Sequence, residues 1–183
     1  MELLDLVTRA QSGDEQAFAS LAVAVGGRLH AVSKRILRDA DLAEDATQQA
    51  LLTIWRQLPR LRDPHRFEAW AYRVLVRACY AEGRTKRRWA PNLHALADVI
   101  PADADAFAAV RDRDQVERGF RQLSVEHRAV LVLRYYLDLS PDEIAETLGI
   151  PAGTIRSRLF YGMQSLRAAL DADERPRARE AVR

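Results

Sequence analysis

Apolar positions along the chain recur at steps of three and four rather than two. Phe18, Leu21, Ala22, Val25, Leu29, Val32 and Ile36 form one such stripe, which predicts a helix from an Asp14 cap to about Leu37. Gly26-Gly27 interrupts it; each glycine costs about 1 kcal/mol relative to alanine, and a bend is expected there. Residues 2–12 read as a short helix before it. Asp39 or Asp41 caps the next one, which ends near Leu58, ahead of Pro59. The basic loop PRLRDPHR leads to a fourth helix over about 66–88, whose core stripe is Phe67, Trp70, Ala71, Val74 and Ala78. Residues 89–111 then lose all period, hold Pro91 and Pro101, and mark a domain boundary. Beyond it come helices near 112–122, at Val125–Leu137, at Pro141–Leu148 and from Ala152 to about Leu170, followed by a charged, frayed tail.

The stretch DLSPDEIAETLGIPAGTIRSRL, from Asp138, spells out a helix-turn-helix. Ser140 and Glu143 have the spacing of a capping box, and Pro141 stands at the first helical position, where its missing N–H costs nothing. Gly149 is placed to adopt the left-handed backbone that ends this helix, and Pro151 opens the next. Ile155, Leu159, Met163, Leu166 and Leu170 make the apolar face of that second helix. Thr154, Arg156, Ser157, Arg158 and Tyr161 make its early polar face. Such a helix fits the major groove with its N-terminal residues against base edges. Arg156 and Arg158 suit guanine or a phosphate. A plain helical hairpin with a solvated Arg-Ser-Arg edge is the structural alternative.

Composition agrees with an all-α chain. Ala and Leu number 53 against 25 for Val, Ile and Thr, and branched side chains lose more freedom in a helix. The single cysteine rules out an internal disulfide framework or a thiolate metal cluster. Charge is uneven: residues 1–90 carry +4 (15 basic, 11 acidic), 91–117 carry −4 (2 and 6), and 118–183 carry +2 (11 and 9). Two basic-leaning units thus flank an acidic connector. No run approaches the roughly 20 apolar residues that cross a bilayer, and the start of the chain lacks the pattern of a secretory signal. The expectation is a cytoplasmic chain without membrane insertion.

The fourth helix carries a second stripe, Arg73, Arg77, Tyr80, Arg84 and Arg88, about 100° around from its core face. Its last turn concentrates charge in Arg84-Thr85-Lys86-Arg87-Arg88. Cations interleaved with an aromatic suit a single strand: phosphates are neutralised and a base stacks on the ring. Favourable charge at a helix C-terminus is the plainer reading of the same residues.

GDEQAFASL, DLAEDATQQALLTIWRQL, FEAWAYRVLVRA and LSVEHRAVLVLRYYLDLSPDEIAETLGIPAGTIRSRL, in that order around an acidic linker, resemble the extracytoplasmic-function (ECF) sigma factors of bacteria. The similarity covers nearly all of Gly13 to Leu170. It implies two small helical domains joined by a flexible linker, the C-terminal one a helix-turn-helix. Residues 1–90 are similar to sigma region two, 91–111 are the linker, 112–171 are similar to sigma region four, and 172–183 are a charged tail. The resemblance further implies that helix 42–58 docks on the clamp helices of the polymerase β′ subunit through Asp45, Gln48, Gln49, Leu51 and Leu52. The loop from Leu61 and helix 66–88 would capture the −10 strand with Arg66, Phe67, Arg73, Arg77, Tyr80, Arg84, Lys86, Arg87 and Arg88. The second unit would read the −35 element with Ser140, Thr154, Arg156, Ser157, Arg158, Phe160 and Tyr161, and lean on the β flap. The linker would thread toward the RNA exit path.

Three departures bear on this. Gln49 stands where the family usually has Glu, Arg77 and Ala81 where Asn and Asp are common, and Tyr161 where an Arg often meets DNA. The implied partners are core RNA polymerase, promoter DNA and an anti-sigma protein, with no cofactor and no enzymatic activity of the chain itself. The competing reading is a stand-alone helix-turn-helix regulator that binds duplex DNA without polymerase. His30, His65, His94 and His127 are too scattered for a metal site. Cys79 is expected to be a semi-buried spectator, and Tyr135-Tyr136 to pack the second unit.

Overall fold

Short polar side chains start α-helices here by accepting backbone N–H groups that have no partner within the helix, as Asp14, Asp39, Ser124 and Ser140 do. α1 (Leu3–Gln11) is followed by Asp14, whose Oδ1 accepts from Ala17 N–H at 2.9 Å and begins α2 (Glu15–Leu37). That bond, with the Arg9 guanidinium beside it, holds the Asp14 carboxyl below the usual carboxylate range. Arg38 turns the chain in the left-handed conformation, at φ 56°. Asp39, not Asp41, then caps α3 (Ala40–Gln57). Two single 3-10 turns, Leu58–Arg60 and Pro64–Arg66, lead into α4 (Phe67–Trp89). Gln11 fastens this passage by donating to the carbonyls of Leu58, at 3.2 Å, and Leu61, at 2.7 Å.

The computed structural model describes residues 2–89 and 116–180, with side chains at 2–85 and 116–171. The expected linker at 91–111 lies outside the described residues. Beyond it come α5 (from 116 to 122), α6 (Val125–Tyr135), α7 (Pro141–Leu148) and α8 (Ala152–Glu180). No strand occurs among the described residues. The expected bend at Gly26-Gly27 does not form, and α2 is continuous through it. α8 runs to Glu180 rather than stopping near Leu170, so the tail is helical for ten further residues. The apolar stripe marks only where a helix is packed, while the Ala, Glu and Arg of the tail are good helix formers in their own right.

In the first domain α2 and α3 cross over buried Ala43, Ala46 and Ala50, which let the backbones approach closely. Ser33 and Thr47 meet at this crossing with 2.9 Å between their hydroxyls, and the Thr47 hydroxyl donates to the Ala43 carbonyl at 2.6 Å. The second domain closes Leu123, Leu131 and Leu166 against Phe120, Leu159, Met163 and Leu170. The two domains do not stand apart. One apolar cluster runs from Val7 and Leu21 through Leu75, Val76 and Cys79 to Val130, Leu133, Ile144 and Ile155. α6 is the hinge of this packing: its residues Ala129 to Leu133 are each at most 4% exposed. A helix that is apolar all round is buried on every side, and α6 lies between α8 and the pair α2 and α4.

The turn of the helix-turn-helix is built as its spacing predicts. Ser140 Oγ accepts from Glu143 N–H at 3.2 Å, and Ser140 N–H donates to Glu143 Oε2 at 2.7 Å. These bonds to Ser140 hold the Glu143 carboxyl below the usual carboxylate range, favouring its charged form. Gly149 ends α7 at φ 67°. A side chain in that conformation costs roughly 1–2 kcal/mol. Gly149→Ala is therefore expected to lower stability by about that amount in urea titration, with the helical content of the native state unchanged.

Candidate nucleic-acid interface

Ile155, fully buried among the residues that join α7 and α8, roots the first turn of α8 and turns its opposite edge outward. Thr154, Arg156, Ser157, Phe160 and Tyr161 are exposed on that edge. Arg156 Nη2 lies 2.8 Å from Asp142 Oδ1 at the head of α7. Both partners are solvated, so the pair contributes little and exchanges readily for another anion. Ser157 returns its hydroxyl to the Gly153 carbonyl at 3.0 Å. The rings of Phe160 and Tyr161 stand edge to face at 5.3 Å, 63% and 55% exposed. Arg158 differs from the expectation: it turns inward toward Tyr80 of α4, and its Nη1 is buried.

The basic stripe of α4 is split by its surroundings. Arg77 and Arg84 are exposed, whereas only the helical backbone is described for Lys86, Arg87 and Arg88. Arg66 is exposed but its Nη2 pairs with Glu146 of α7. Arg73 reaches the same helix, donating from Nε to the Thr147 carbonyl and from Nη2 to the Glu146 carbonyl. Tyr80 is partly buried, with Oη out of solvent and no hydrogen bond of good geometry. Burial pushes its phenol up to about 12, against the opposite pull of the nearby Arg158 charge. Phe67 is a correction. It is 2% exposed, sits at 6.2 Å from Trp70 and belongs to the core, so it offers no surface to a base. Its place in the apolar stripe already required this.

A third surface lies on α3. Asp45, Gln48 and Gln49 are exposed, and Leu52 among them is 47% exposed, while Leu51 is half buried against the core. An exposed leucine within a polar helical face suits protein contact more than nucleic acid.

Sigma-70 region 2 matches residues 21–89 and sigma-70 region 4 matches residues 119–168. RNA polymerase sigma-H factor of Pseudomonas aeruginosa is 31% identical over 96% of this chain and 95% of its own length. ECF sigma factor SigL of Mycobacterium tuberculosis is 35% identical over 74% of this chain and 78% of its own. The chain belongs to the ECF sigma factors of the sigma-70 family. Two solved structures share the fold, each at a TM-score of 0.63: CnrH in complex with the cytosolic domain of CnrY, and RpoE of Bartonella quintana in complex with the anti-sigma factor NepR. They are 24% and 21% identical, cover 93% and 85% of this chain and are themselves covered over 97% and 98%. As an RNA polymerase sigma factor, the protein directs core polymerase to promoters and assists strand opening at initiation.

Several residues at the junction of the two sigma domains gave no sequence signal of their role. Tyr135 and Tyr136 are exposed rather than packed, and the Arg35 guanidinium of α2 lies 3.8 Å over the Tyr136 ring. Arg38 pairs with Glu117 of α5. No group of three or more His, Cys, Asp and Glu converges among the described residues. No helix there is long and apolar enough to cross a membrane.

Cys79 is fully buried, not semi-buried, and burial raises its thiol from 9.0 to about 12. Because the folded state favours the neutral thiol, this contribution to stability is complete below about pH 9 and is lost as pH rises toward 12. The melting temperature of the sigma factor should accordingly decline over that interval. At pH 8 a thiol-disulfide reagent should modify Cys79 only after denaturant is added; equal rates in native and unfolded chain would contradict its burial.

Proposed function

We propose that three separate surfaces of this sigma factor divide the work of promoter engagement. The carrying observation is that one chain exposes both the polar edge of a capped helix-turn-helix and, on α3, a polar face centred on Leu52. Residues 112–171 read the −35 element as duplex, with α8 in the major groove. There Arg156 leaves Asp142 for a guanine edge or a phosphate, while Ser140, Thr154 and Ser157 hold the backbone. Phe160 and Tyr161 supply apolar contact beside them, with Arg158 joining once it is released from Tyr80.

Residues 1–90 dock on the β′ clamp helices and hold the melted −10 strand. Asp45, Gln48, Gln49 and Leu52 make the polymerase contact, with Leu51 supporting it from the core side. Arg66, Arg73, Arg77, Arg84, Lys86, Arg87 and Arg88 neutralise the strand, and Tyr80 stacks on a base. Unpairing and unstacking each captured base costs a few kcal/mol. Base–aromatic stacking returns about 1–3 kcal/mol and phosphate contacts the rest. Residues 91–111 thread toward the RNA exit path and the second domain leans on the β flap. The polymerase supplies the chemistry, and this chain, acting in the cytoplasm, has no reaction of its own. An anti-sigma protein, of the kind bound to RpoE of Bartonella quintana, is the proposed inhibitor. The stand-alone regulator is set aside because residues 21–89 match sigma region 2, which a polymerase-independent repressor would not need.

Run-off transcription with core enzyme tests the −35 surface. Arg156→Glu is expected to reduce −35-dependent transcription at least tenfold, the equivalent of about 1.4 kcal/mol in promoter binding. Arg156→Ala should lower the salt dependence of promoter binding by about one counterion. Undiminished transcription by Arg156→Glu would remove α8 from recognition. Asp45→Arg tests docking: core affinity in a titration should fall while the thermal melt of the free chain stays unchanged.

A further inference from the structure

The head of α7 carries two carboxylates with different occupations. Glu143 is spent inside the helix, where its Oε2 takes the Ser140 N–H and completes the capping box. Asp142, one residue earlier in the same turn, reaches out of the helix and meets Arg156 of α8, Nη2 to Oδ1 at 2.8 Å. This contact lies wholly within the second domain. Stability does not account for it: the two side chains are 73% and 60% exposed, and solvated pairs of this kind contribute little. Nor does the helix dipole require it, since Glu143 already places negative charge in the first turn. What the Asp142 carboxylate does change is the electrostatic surroundings of Arg156.

An isolated arginine on a recognition helix discriminates poorly, because its charge is drawn to every phosphate alike. A carboxylate within hydrogen-bond distance alters that choice. Seen from a phosphate, the Arg156–Asp142 couple is close to neutral, so the attraction between charges is largely cancelled. A phosphate that takes the fork must also lie beside the Asp142 carboxylate, where like charges repel. The N7 and O6 acceptors of guanine carry no net charge, and their bonds to the fork are short and directional. The carboxylate therefore weakens a guanine contact far less than a phosphate contact. We propose that Asp142 is a positioning residue that sets specificity at the −35 surface, biasing Arg156 toward a guanine edge and away from the phosphate backbone. This inference rests on the reading of α8 as the −35 helix, and it narrows the two acceptors given there for Arg156 to one. Discrimination by a repulsive element of this kind raises selectivity at some cost in total affinity.

Holoenzyme assembled from core polymerase and the full-length chain is offered duplex DNA randomised across the −35 region, and the bound fraction is sequenced. The guanine preference that Arg156→Ala abolishes locates the contact. Wild type should bind the selected duplex roughly tenfold better than the same duplex with that guanine changed to adenine. Asp142→Asn should shrink this ratio to about threefold and raise affinity for a scrambled duplex by about threefold. It should also steepen the salt dependence of binding by up to about one counterion. Asp142→Glu, which keeps the charge and the reach, should restore the wild-type ratio. In the Arg156→Ala background Asp142→Asn should leave the ratio unchanged, because its effect is exerted through Arg156. Thermal melts and core affinity of each variant check that fold and docking are intact. A wild-type ratio in Asp142→Asn, or a loss of ratio by Asp142→Asn that persists without Arg156, would overturn the role of Asp142 and leave α8 as the reading helix. If Arg156→Ala abolishes no guanine preference, the reading of Arg156 on α8 fails and the role of Asp142 falls with it.

Discussion

The guanidinium of Arg73, seated on the Glu146 and Thr147 carbonyls, sets the geometry on which the remaining features depend. The last carbonyls of a helix have no partner within it, and α7 satisfies two of them with a cation from the other domain. Gly149 follows at once, in a left-handed turn whose missing Cβ would lie 3.6 Å from the same guanidinium. Glu146 takes Arg66 alongside. The end of the first helix of the helix-turn-helix is therefore fixed to α4, and with it the direction in which α8 presents Arg156, Phe160 and Tyr161.

Apolar packing makes this polar contact possible. α4 is buried on two sides, by α3 and α2 through residues such as Ala71 and Leu75, and by α6 and α7 beyond Gly83 and Arg73. α6 is likewise enclosed, with Leu131 in the core of its own domain and Val130, Val132 and Leu133 in the cluster shared by both. The arrangement places desolvated charge at the seam, and Arg128 shows the consequence: burial, above all, lowers its pKa to about 10. Arg38 adds its repulsion and Glu126 opposes both, while the Arg128 Nε has no hydrogen-bond partner. At this seam Arg73, Arg66 and Arg38 meet carbonyl and carboxylate oxygens of the other domain.

The local devices were legible because each lies within a few residues of its partner. Asp14, Asp39, the Ser140–Glu143 box and Gly149 follow from the spacing of caps and from which side chains accept N–H or tolerate a positive φ. The exposed edge of α8 also followed, since the apolar stripe on that helix fixes the opposite side, whereas the α3 face rested on the family resemblance alone. Phe67 belongs to the apolar stripe of α4, and its place in the core leaves it no second role on the surface. Arg73 and Tyr80 were expected in solvent because only one stripe of α4 was counted as core. The warning lay in two short apolar runs, Val74-Leu75-Val76 and Ala129-Val130-Leu131-Val132-Leu133. Each is too continuous for a helix buried on one side, but nothing in either names the surface that covers the second side.

By itself, then, the chain determined its helices, their caps, the helix-turn-helix and the family to which these belong, all of them consequences of interactions between near neighbours. Only the tertiary structure decided that the two domains share one core, that Gly83 makes room for Val125, and that three of the proposed strand-binding residues answer to the second domain. These are meetings of residues some forty to eighty positions apart in the chain. Periodicity reports that a face is buried, whereas the identity of the face against it depends on how whole helices pack.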